Sequence, residues 1–300
     1  MATVFSPAKL NLFLAVTGRR TDGFHDLLSV AALLDFGDDL SVEKATGYSL
    51  ECDDPAVPVD QTNLVLKAAA AFAGATGWPV RQAQGRPGGA RFKLTKRIPV
   101  GAGLGGGSSN AVAALRALEE LSGVRLEPDK VMELAAGLGS DCALFLHNTP
   151  VVMRGRGERV EVLPEKAVAR LRGRRVLVFK PSIGVSTAWA YGRMAARGAD
   201  YLPAEEAEKR LADWISSGAP AEGLLFNNME PAVFGKHPAL PLLLEKLRRR
   251  TGLRPRMSGS GSACFALLPA AEAGRDASGA KQIIRECWGP AAFVREARIL

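Results

Sequence analysis

The stretch Pro99-Val-Gly-Ala-Gly-Leu-Gly-Gly-Gly-Ser-Ser109 decides the fold, because it places five glycines between a predicted strand and a strongly amphipathic helix. We call residues 99–109 the first glycine loop. Glycine lets backbone N–H groups approach an anion without side-chain obstruction, and the following helix adds its positive end. The loop therefore predicts a phosphate site, with a structural turn as the alternative on context alone.

The two commonest phosphate-binding patterns do not fit this loop. It lacks the GKS or GKT ending of a P-loop, and the strand of a dinucleotide fold is replaced downstream by a helix that begins at Pro128. Ser108, Ser109 and Asn110 are good helix-capping residues, and the serine hydroxyls could equally bind a phosphate oxygen or its magnesium ion. Position alone does not separate these roles.

The surrounding apolar patterns predict strands and helices in both halves of the chain. The helix after the loop has apolar residues at helical spacing from Ala111 and a terminating glycine at Gly123. Strands are predicted at residues 4–16, 27–34, 40–43, 90–94, 151–153, 159–162, 176–179, 262–268 and 292–298, with acidic turns joining the second and third. Helices are predicted at residues 63–72, 128–138, 187–196, 204–216, 239–251 and 277–288.

Composition bounds the class of protein. The 300 residues are 47% hydrophobic and 23% charged, as in ordinary globular proteins, and this length favours two domains. No predicted membrane span or leader and no paired-cysteine pattern is present, so we expect a reduced, cytoplasmic protein without a protein metal site. The net charge of +8 suits a phosphorylated substrate, while the basic clusters at 170–175 and 246–256 lack interleaved aromatics and are interpreted as solvated helix faces.

Three further features carry charge or glycine in unusual places. Residues 257–262, Met-Ser-Gly-Ser-Gly-Ser, form a second glycine loop before an apolar strand, and the two loops could close on one polyanion. Lys9 and Asn11 lie two apart in a predicted strand and so project from one face among apolar neighbours. Asp141 opens an apolar run, where a helix cap is the alternative to a functional carboxylate.

These motifs resemble the GHMP kinases in order and spacing. The resemblance rests on Pro7-Ala8-Lys9-Leu10-Asn11-Leu12, Gly23-Phe24-His25, the first glycine loop, Leu138-Gly139-Ser140-Asp141 and the second glycine loop. It implies a two-domain α+β fold, with a ribosomal protein S5 domain 2-like N-terminal domain at 1–165 that binds ATP and a ferredoxin-like C-terminal domain at 166–300. It also implies ATP and Mg²⁺ as the cofactors.

The resemblance assigns the catalytic and nucleotide-binding roles. Asp141 corresponds to the catalytic carboxylate and Lys9 to its partner, acting on a substrate hydroxyl that attacks the γ-phosphate. An adjacent ammonium would keep the carboxylate ionised and offset negative charge at the phosphoryl group. Asn63 and Lys96 resemble the adenosine-side residues. The implied phosphate contacts are Pro99, Gly101, Gly103, Gly105, Gly106, Gly107, Ser108, Ser109 and Asn110.

The same resemblance implies a substrate alcohol linked to cytidine diphosphate. His25 and the backbone near Phe24 would recognise its cytosine and Tyr191 would stack on the base. Taken bare, His25 is more often a surface or satisfied core histidine, and Tyr191 is more often a core residue. Asn11 would contact the alcohol-phosphate end, and Gly259 and Ser260 would close on the substrate. This chain departs from the pattern at Phe24, where tyrosine is common, at Ala31, where a bulky aromatic can line the pocket, and at Ser140, where alanine is usual.

Two other functions stay open from the sequence. One is another small-alcohol kinase of the superfamily, such as a mevalonate or homoserine kinase. The set of Lys9, Asn11 and His25 distinguishes the kinase of a cytidyl substrate from these. The other is a catalytically silent nucleotide-binding protein, against which the intact Lys9 and Asp141 argue. We expect no nucleic-acid or membrane partner, and either a monomer or a homodimer.

Overall fold

The structure is a computed structural model that describes residues 2–78, 88–198, 200–269 and 277–300. Its described residues divide into two compact units. The first takes the chain up to Ala8, then Phe36–Val100 and Gly105–His147. The second takes Lys9–Asp35, Gly101–Leu104 and Asn148–Leu300. The predicted domain division at residue 165 stays a prediction, because these units interleave along the chain.

The elements are numbered in chain order. The strands are β1 (Ala2–Arg19), β2 (His25–Ala45), β3 (Ser49–Cys52), β4 (Gly89–Thr95), β5 (Val151–Gly155), β6 (Arg159–Val162), β7 (Arg175–Lys180), β8 (Phe226–Asn227), β9 (Arg256–Met257), β10 (Cys264–Leu267) and β11 (Phe293–Arg298). The helices are α1 (Leu64–Thr76), α2 (Gly106–Ser122), α3 (Pro128–Leu138), α4 (Glu165–Val168), α5 (Thr187–Arg197), α6 (Ala204–Ser217), α7 (Glu230–Phe234), α8 (Ala239–Thr251) and α9 (Ser278–Trp288). Short 3-10 helices occupy Ala143–Leu146 and Ala221–Gly223.

The first unit packs α1, α2 and α3 with a sheet. The C-terminal part of β2 pairs antiparallel with β4, and β4 pairs in parallel with β3. Phe72 of α1 and Phe92 of β4 are fully buried in its core. Asn63 caps α1 by accepting a hydrogen bond from the Val65 N–H at 2.8 Å, and Gly123 ends α2 with φ +74°. The first unit therefore presents the start of α2, directly after the first glycine loop, on a rigid support.

The second unit contains two groups of strands. The N-terminal part of β2 pairs with β5, which forms a hairpin with β6, while Phe13 and Leu14 of β1 pair in parallel with β8. The strands β11, β7, β10 and β9 form a separate antiparallel sheet. Trp288 of α9 lies 5.9 Å from the ring of Phe179 on β7, so α9 covers this sheet. The second glycine loop is the connection from β9 to β10.

Most of the predicted elements are confirmed, with two corrections. Residues 27–34 and 40–43 belong to one long strand, β2, and the acidic turn predicted between them is wrong. Its acids are paired inside the strand: Asp38 accepts backbone hydrogen bonds from Arg97 and Ile98, and Asp39 forms an ion pair with Arg97. Because both carboxylates have partners, they can lie within an extended and largely buried strand.

The second correction concerns the start of α2. Ser108, Ser109 and Asn110, predicted as caps, lie inside the helix, which begins at Gly106 after Gly105 without a side-chain cap. Gly105 takes φ +73°, a backbone conformation that a serine or threonine cap would not adopt. The first-turn N–H groups of α2 are therefore not capped by a side chain of the N-cap residue.

Candidate active site

The first glycine loop has the backbone geometry that its composition predicts. Gly101, Gly103 and Gly105 have φ values of +61°, +76° and +73°, in the region that favours glycine. Gly101 and Gly103 belong to the second unit, and Gly105 begins the part of the first unit that carries α2. The loop thus alternates left-handed residues up to the N-terminus of a long helix, an arrangement suited to an anion.

Within the second unit, the two glycine loops touch each other. The Ser258 hydroxyl donates to the Gly103 carbonyl at 3.2 Å, and the Ala263 N–H donates to the Ala102 carbonyl at 3.0 Å. A Cβ on Gly103 would overlap the Ser258 carbonyl oxygen. The close approach therefore requires glycine at this position. The two loops are in contact at Ala102 and Gly103, and their closure on one polyanion stays a prediction.

A buried carboxylate organises the polar interior of the first unit. The Asp38 side chain is fully buried and forms an ion pair with the buried Lys96 ammonium. It also accepts a hydrogen bond from Asn110 Nδ2 at 2.9 Å, and Lys96 Nζ lies 3.4 Å from Asn110 Oδ1. Lys96 and Asn110, both predicted on the nucleotide side, are thus brought together beside the start of α2.

Two predicted phosphate contacts already have partners in the interior. Asn110 Nδ2 donates to the Ser6 hydroxyl at 2.8 Å, and that hydroxyl donates to Ser109 Oγ at 2.8 Å. Ser109 and Asn110 are 1% and 3% exposed, so their side chains could reach a ligand only by giving up these bonds. The Ser109 N–H also has a partner, the Gly105 carbonyl at 2.9 Å. Phosphate contacts by these two residues therefore stay a prediction.

Asp141 lies in a turn next to the start of α2. The neighbouring Cys142 thiol is hydrogen-bonded to Ser108, and burial raises its pKa to about 11 although that bond opposes the rise. A Cβ on Gly139 would be 3.4 Å from Cys142 Sγ and 4.0 Å from Ser108 Oγ, so this turn packs closely on the helix. Cys142 holds the N-cap position of the 3-10 helix that follows without a side-chain cap bond, and both a capping and a catalytic role for Asp141 stay predictions.

In the second unit, Lys9 and Asn11 form a buried pair on one face of β1, as predicted. Lys9 Nζ donates to Asn11 Oδ1 at 2.5 Å, and Asn11 Nδ2 donates to Ser29 Oγ at 2.9 Å. Gly259 lies directly over them, because its Cβ would be 3.2 Å from Asn11 Oδ1 and 3.5 Å from Lys9 Nζ. Ser258 Oγ also accepts from the Asn11 N–H at 3.3 Å. The second glycine loop therefore covers the lysine.

An aromatic group forms around His25, also in the second unit. The His25 ring lies 4.9 Å from the Tyr191 ring and 5.9 Å from the Tyr201 ring, and His25 Nε2 is 3.0 Å from the Tyr201 hydroxyl. Burial, aided by the nearby Arg19 charge, lowers the pKa of His25 and favours the neutral imidazole. Phe24 is 50% exposed beneath the Arg156 guanidinium, at 4.7 Å from its ring centre.

The remaining predicted residues are distributed as follows. Ser260 is buried, with its hydroxyl 3.0 Å from the hydroxyl of Thr187 at the start of α5, the helix that also carries Tyr191. Asn63 caps α1, and its contact with adenosine stays a prediction. Pro99 and Gly101 lie in the exposed turn of the first glycine loop, with Gly106 and Gly107 opening α2. Lys9 lies in the second unit and Asp141 in the first, so their cooperation stays a prediction.

Several polar residues of the site were missed from the sequence. Asp38 carries a signal, because an acid inside an apolar strand pattern needs a buried partner. Ser6 and Ser29 carry none, since small hydroxyl residues are common in strands, whereas Ser258 lies in the second glycine loop that the sequence singled out. Tyr201 also carries none, because its partner His25 is 176 residues away in the chain.

Comparisons with known proteins place this arrangement in a family. A family profile described as GHMP kinases N terminal domain matches residues 63–149, and one described as GHMP kinases C terminal matches residues 204–287. A crystal structure of a mevalonate kinase from Methanococcus jannaschii, at 12% identity, superposes with a TM-score of 0.71 over 100% of this chain and 98% of that one, a likeness of fold alone. The fold and the two glycine loops are those of a GHMP kinase, as the sequence predicts.

Closer relatives narrow the class. A protein of Synechococcus sp. (strain CC9311) named 4-diphosphocytidyl-2-C-methyl-D-erythritol kinase is 38% identical over 97% of this chain and 93% of its own length. One of that name from Chlorobium phaeobacteroides (strain BS1) is 37% identical over 93% and 92%. A crystal structure of 4-(cytidine 5'-diphospho)-2C-methyl-D-erythritol kinase, 33% identical, gives a TM-score of 0.75 over 99% of both chains. The chain belongs to the 4-diphosphocytidyl-2-C-methyl-D-erythritol kinase family.

Proposed function

We propose that this chain transfers the γ-phosphoryl group of MgATP to the 2-hydroxyl of 4-diphosphocytidyl-2-C-methyl-D-erythritol, a step of the non-mevalonate isoprenoid pathway in the cytoplasm. The near full-length similarity to kinases named for this substrate supports the proposal. The observation that carries it is the buried Lys9–Asn11 pair beneath Gly259 of the second glycine loop. A buried ammonium beside a phosphate-type loop suits the site of phosphoryl transfer.

The phosphate side of the proposal rests on main-chain geometry. The left-handed glycines of the first loop and the uncapped N-terminus of α2 provide N–H donors for the ATP phosphates. Asp38 and Asn110 fix Lys96 at the start of this helix, with its Nζ 3.1 Å from the Cβ position of Gly106. The Lys96 charge therefore lies where negative charge is expected to bind.

The hydroxyl side is assigned to Asp141 and Lys9. A free alcohol is a poor nucleophile, so a carboxylate within about 2.6 to 3.2 Å that accepts its proton makes the attack on the γ-phosphorus easier. We assign that role to Asp141. Lys9, held by Asn11 and 3% exposed, offsets the negative charge that grows around the phosphoryl group. Phosphoryl transfer then depends chiefly on positioning and electrostatics.

The nucleobase side is assigned to the rings around His25. The neutral imidazole of His25 offers hydrogen bonds to a base edge, and Tyr191, 4.9 Å away, offers a face for stacking. Phe24, which precedes His25 in the chain, is half-exposed, and its ring contacts the Arg156 guanidinium. Ala31 is a small, buried residue of β2, so aromatic packing around the base rests on the tyrosines from the second half of the chain.

Mg²⁺ enters this proposal as the companion of ATP. Within residues 2–78, 88–198, 200–269 and 277–300, no cluster of three or more His, Cys, Asp or Glu side chains is suited to hold a metal ion. Mg²⁺ would keep several waters and take its ligands mainly from the substrate phosphates. When bound, the ion would neutralise charge on the β- and γ-phosphates. Among the described residues, no helix is long and apolar enough to cross a membrane.

A substrate panel coupled to ADP release tests the proposal. Purified protein is given MgATP with the cytidyl substrate, with mevalonate or with homoserine, and we expect turnover only with the cytidyl substrate. NMR of the product identifies which hydroxyl carries the new phosphate, and so distinguishes the 2-hydroxyl from the others. Turnover of another alcohol without the cytidyl substrate would reject this assignment, and ATP binding without turnover of any alcohol would favour the silent nucleotide-binding alternative.

A further inference from the structure

The hydrogen bond between Tyr201 and His25 has no role in the function proposed so far. His25 is 8% exposed, and its Nε2 is 3.0 Å from the Tyr201 hydroxyl. In the described part of the chain Nδ1 makes no hydrogen bond, so Tyr201 is the one residue there that holds the imidazole through a nitrogen. A tyrosine hydroxyl can donate or accept, so the contact alone allows either tautomer. Because a phenol is the better donor and an imidazole nitrogen the better acceptor, the hydroxyl is taken as the donor to Nε2, which places the proton on Nδ1.

The backbone on both sides of Tyr201 is fixed to β1. Asn228 Nδ2 donates to the Asp200 carbonyl and to the Val16 carbonyl, each at 2.9 Å, and Asn228 Oδ1 accepts from the Val16 N–H at 2.8 Å. The Leu202 N–H donates to the same Val16 carbonyl at 3.1 Å. Tyr201 thus lies between two residues tied to one point of the strand. Its hydroxyl is placed by the fold and does not depend on a flexible side chain alone.

We propose that Tyr201 is a positioning residue for the nucleobase site: its hydroxyl orients the His25 imidazole and holds it in one tautomer, leaving Nδ1 as the edge for the base. This inference rests on the proposed function, since the base is the cytosine of that substrate. With the Tyr201 hydroxyl donating to Nε2, Nδ1 carries the proton and presents an N–H donor to the base. It can therefore discriminate between bases that differ at one edge position, as cytosine and uracil do.

The arrangement also explains why the partner is a tyrosine. The Tyr201 ring lies tilted against the imidazole, with 5.9 Å between the ring centres, while its hydroxyl reaches Nε2. A phenylalanine would keep the ring packing and lose only the hydrogen bond. Tyr201→Phe therefore removes the proposed function of the residue with little change in volume.

The test is the Tyr201→Phe variant, with Tyr48→Phe as the matched control. The Tyr48 hydroxyl donates to the Trp78 carbonyl within the first unit, whereas the aromatic group around His25 belongs to the second unit. For Tyr201→Phe we expect KM for the cytidyl substrate to rise roughly 3- to 10-fold, the effect of one lost hydrogen bond. KM for ATP stays unchanged, and the preference for the cytidyl over the uridyl analogue falls. Tyr48→Phe changes none of these values.

A second readout does not depend on turnover. In protein labelled with ¹⁵N-histidine, the His25 ring nitrogens, assigned with the His25→Gln variant, should report one tautomer in the wild type and a mixture in Tyr201→Phe. If the wild type turns over the cytidyl substrate, and Tyr201→Phe changes neither the KM for that substrate nor the His25 tautomer, the inference about Tyr201 is overturned and the proposed function stands. Equal rises in both KM values would assign Tyr201 a general structural role. No wild-type turnover of the cytidyl substrate would reject the proposed function, whatever the NMR result.

Discussion

Two neighbouring aspartates show how differently the same residue acts in this chain. Asp38 has no exposed side-chain area and pairs with a lysine that is 7% exposed, whereas Asp39 and its partner Arg97 are 33% and 49% exposed. Removing one member of a buried ion pair leaves a charge without compensation, while an exposed pair contributes little in water. Burial, more than residue type, therefore sets the importance of each aspartate.

The first prediction compares the two aspartates directly. Asp38→Asn places an amide beside the buried Lys96 ammonium and should lower the free energy of unfolding by about 3 to 5 kcal/mol. Asp39→Asn should lower it by about 0 to 1 kcal/mol. Urea denaturation of both variants measures the difference, and equal effects would contradict a buried role for the Asp38–Lys96 pair.

The second prediction concerns catalysis at a single residue. Asp141→Asn should lower kcat by about 10²- to 10⁴-fold, because the amide cannot accept the hydroxyl proton. ATP affinity should stay within a few-fold, since the carboxylate acts in the transition state. Asp129→Asn, an exposed carboxylate in the first turn of α3, is the control and should be silent. Undiminished turnover in Asp141→Asn would remove this residue from the mechanism.

At the scale of elements, the sequence predicted the features that depend on neighbouring residues and missed those that depend on pairing between distant segments. Gly123 ends α2 and Pro128 begins α3 as predicted, because capping and φ restrictions act within a few residues. The two-residue strand β8 has no local pattern and exists only through its pairing with β1. The same reason explains the miss of Tyr201, whose partner is distant, whereas Lys9 and Asn11 were found because they share one strand face.

The third prediction tests the contact between the two glycine loops in the second unit. Gly101→Ala and Gly103→Ala both place a side chain at positive φ, which costs about 1 to 2 kcal/mol each. Gly101 has open space around its Cβ position, but Gly103 meets the Ser258 carbonyl. Gly103→Ala should therefore lose about 1 to 3 kcal/mol more in unfolding free energy and raise the KM for ATP. Equal losses in the two variants would show that the contact with Ser258 is unimportant.

At the scale of the whole molecule, the net charge is +8, but the basic clusters carry less unpaired positive charge than their arginine content suggests. In the basic clusters, arginines pair with carboxylates of the same unit: Arg174 with Glu222, Arg175 with Glu296, and Arg248 and Arg249 with Glu245. Arg248 and Arg249 lie on α8 and fit the interpretation of a solvated helix face, whereas residues 170–175 lie in the turn before β7 and at its start, so that interpretation is wrong for the first cluster. The basic balance then serves a phosphorylated substrate and ATP more readily than a nucleic acid.

Buried titratable groups couple the stability of the fold to pH in opposite directions. Burial lowers the pKa of all three histidines, His25, His147 and His237, each relative to 6.5. Burial raises the pKa of Glu230 above 4.5. The native protein therefore binds fewer protons at its histidines than the unfolded chain near pH 6, and more at Glu230 above pH 4.5. The histidines therefore lower the free energy of unfolding as pH falls, whereas Glu230 lowers it as pH rises.

The last prediction isolates one of these terms at His147. Its Nε2 is buried without a hydrogen-bond partner in the described residues, and the nearby Arg116 adds to the effect of burial in lowering its pKa. Below about pH 6.5 the unfolded chain takes up a proton that the native protein resists, so stability is lost as pH falls. His147→Gln should lose less stability than the wild type between about pH 7.5 and about pH 5.5, by no more than about 1.4 kcal/mol per pH unit. Urea denaturation at about pH 8, where the imidazole is neutral in both states, gives the pH-independent cost of the substitution, which is subtracted. If the two pH profiles run parallel after that subtraction, His147 does not resist protonation in the native fold.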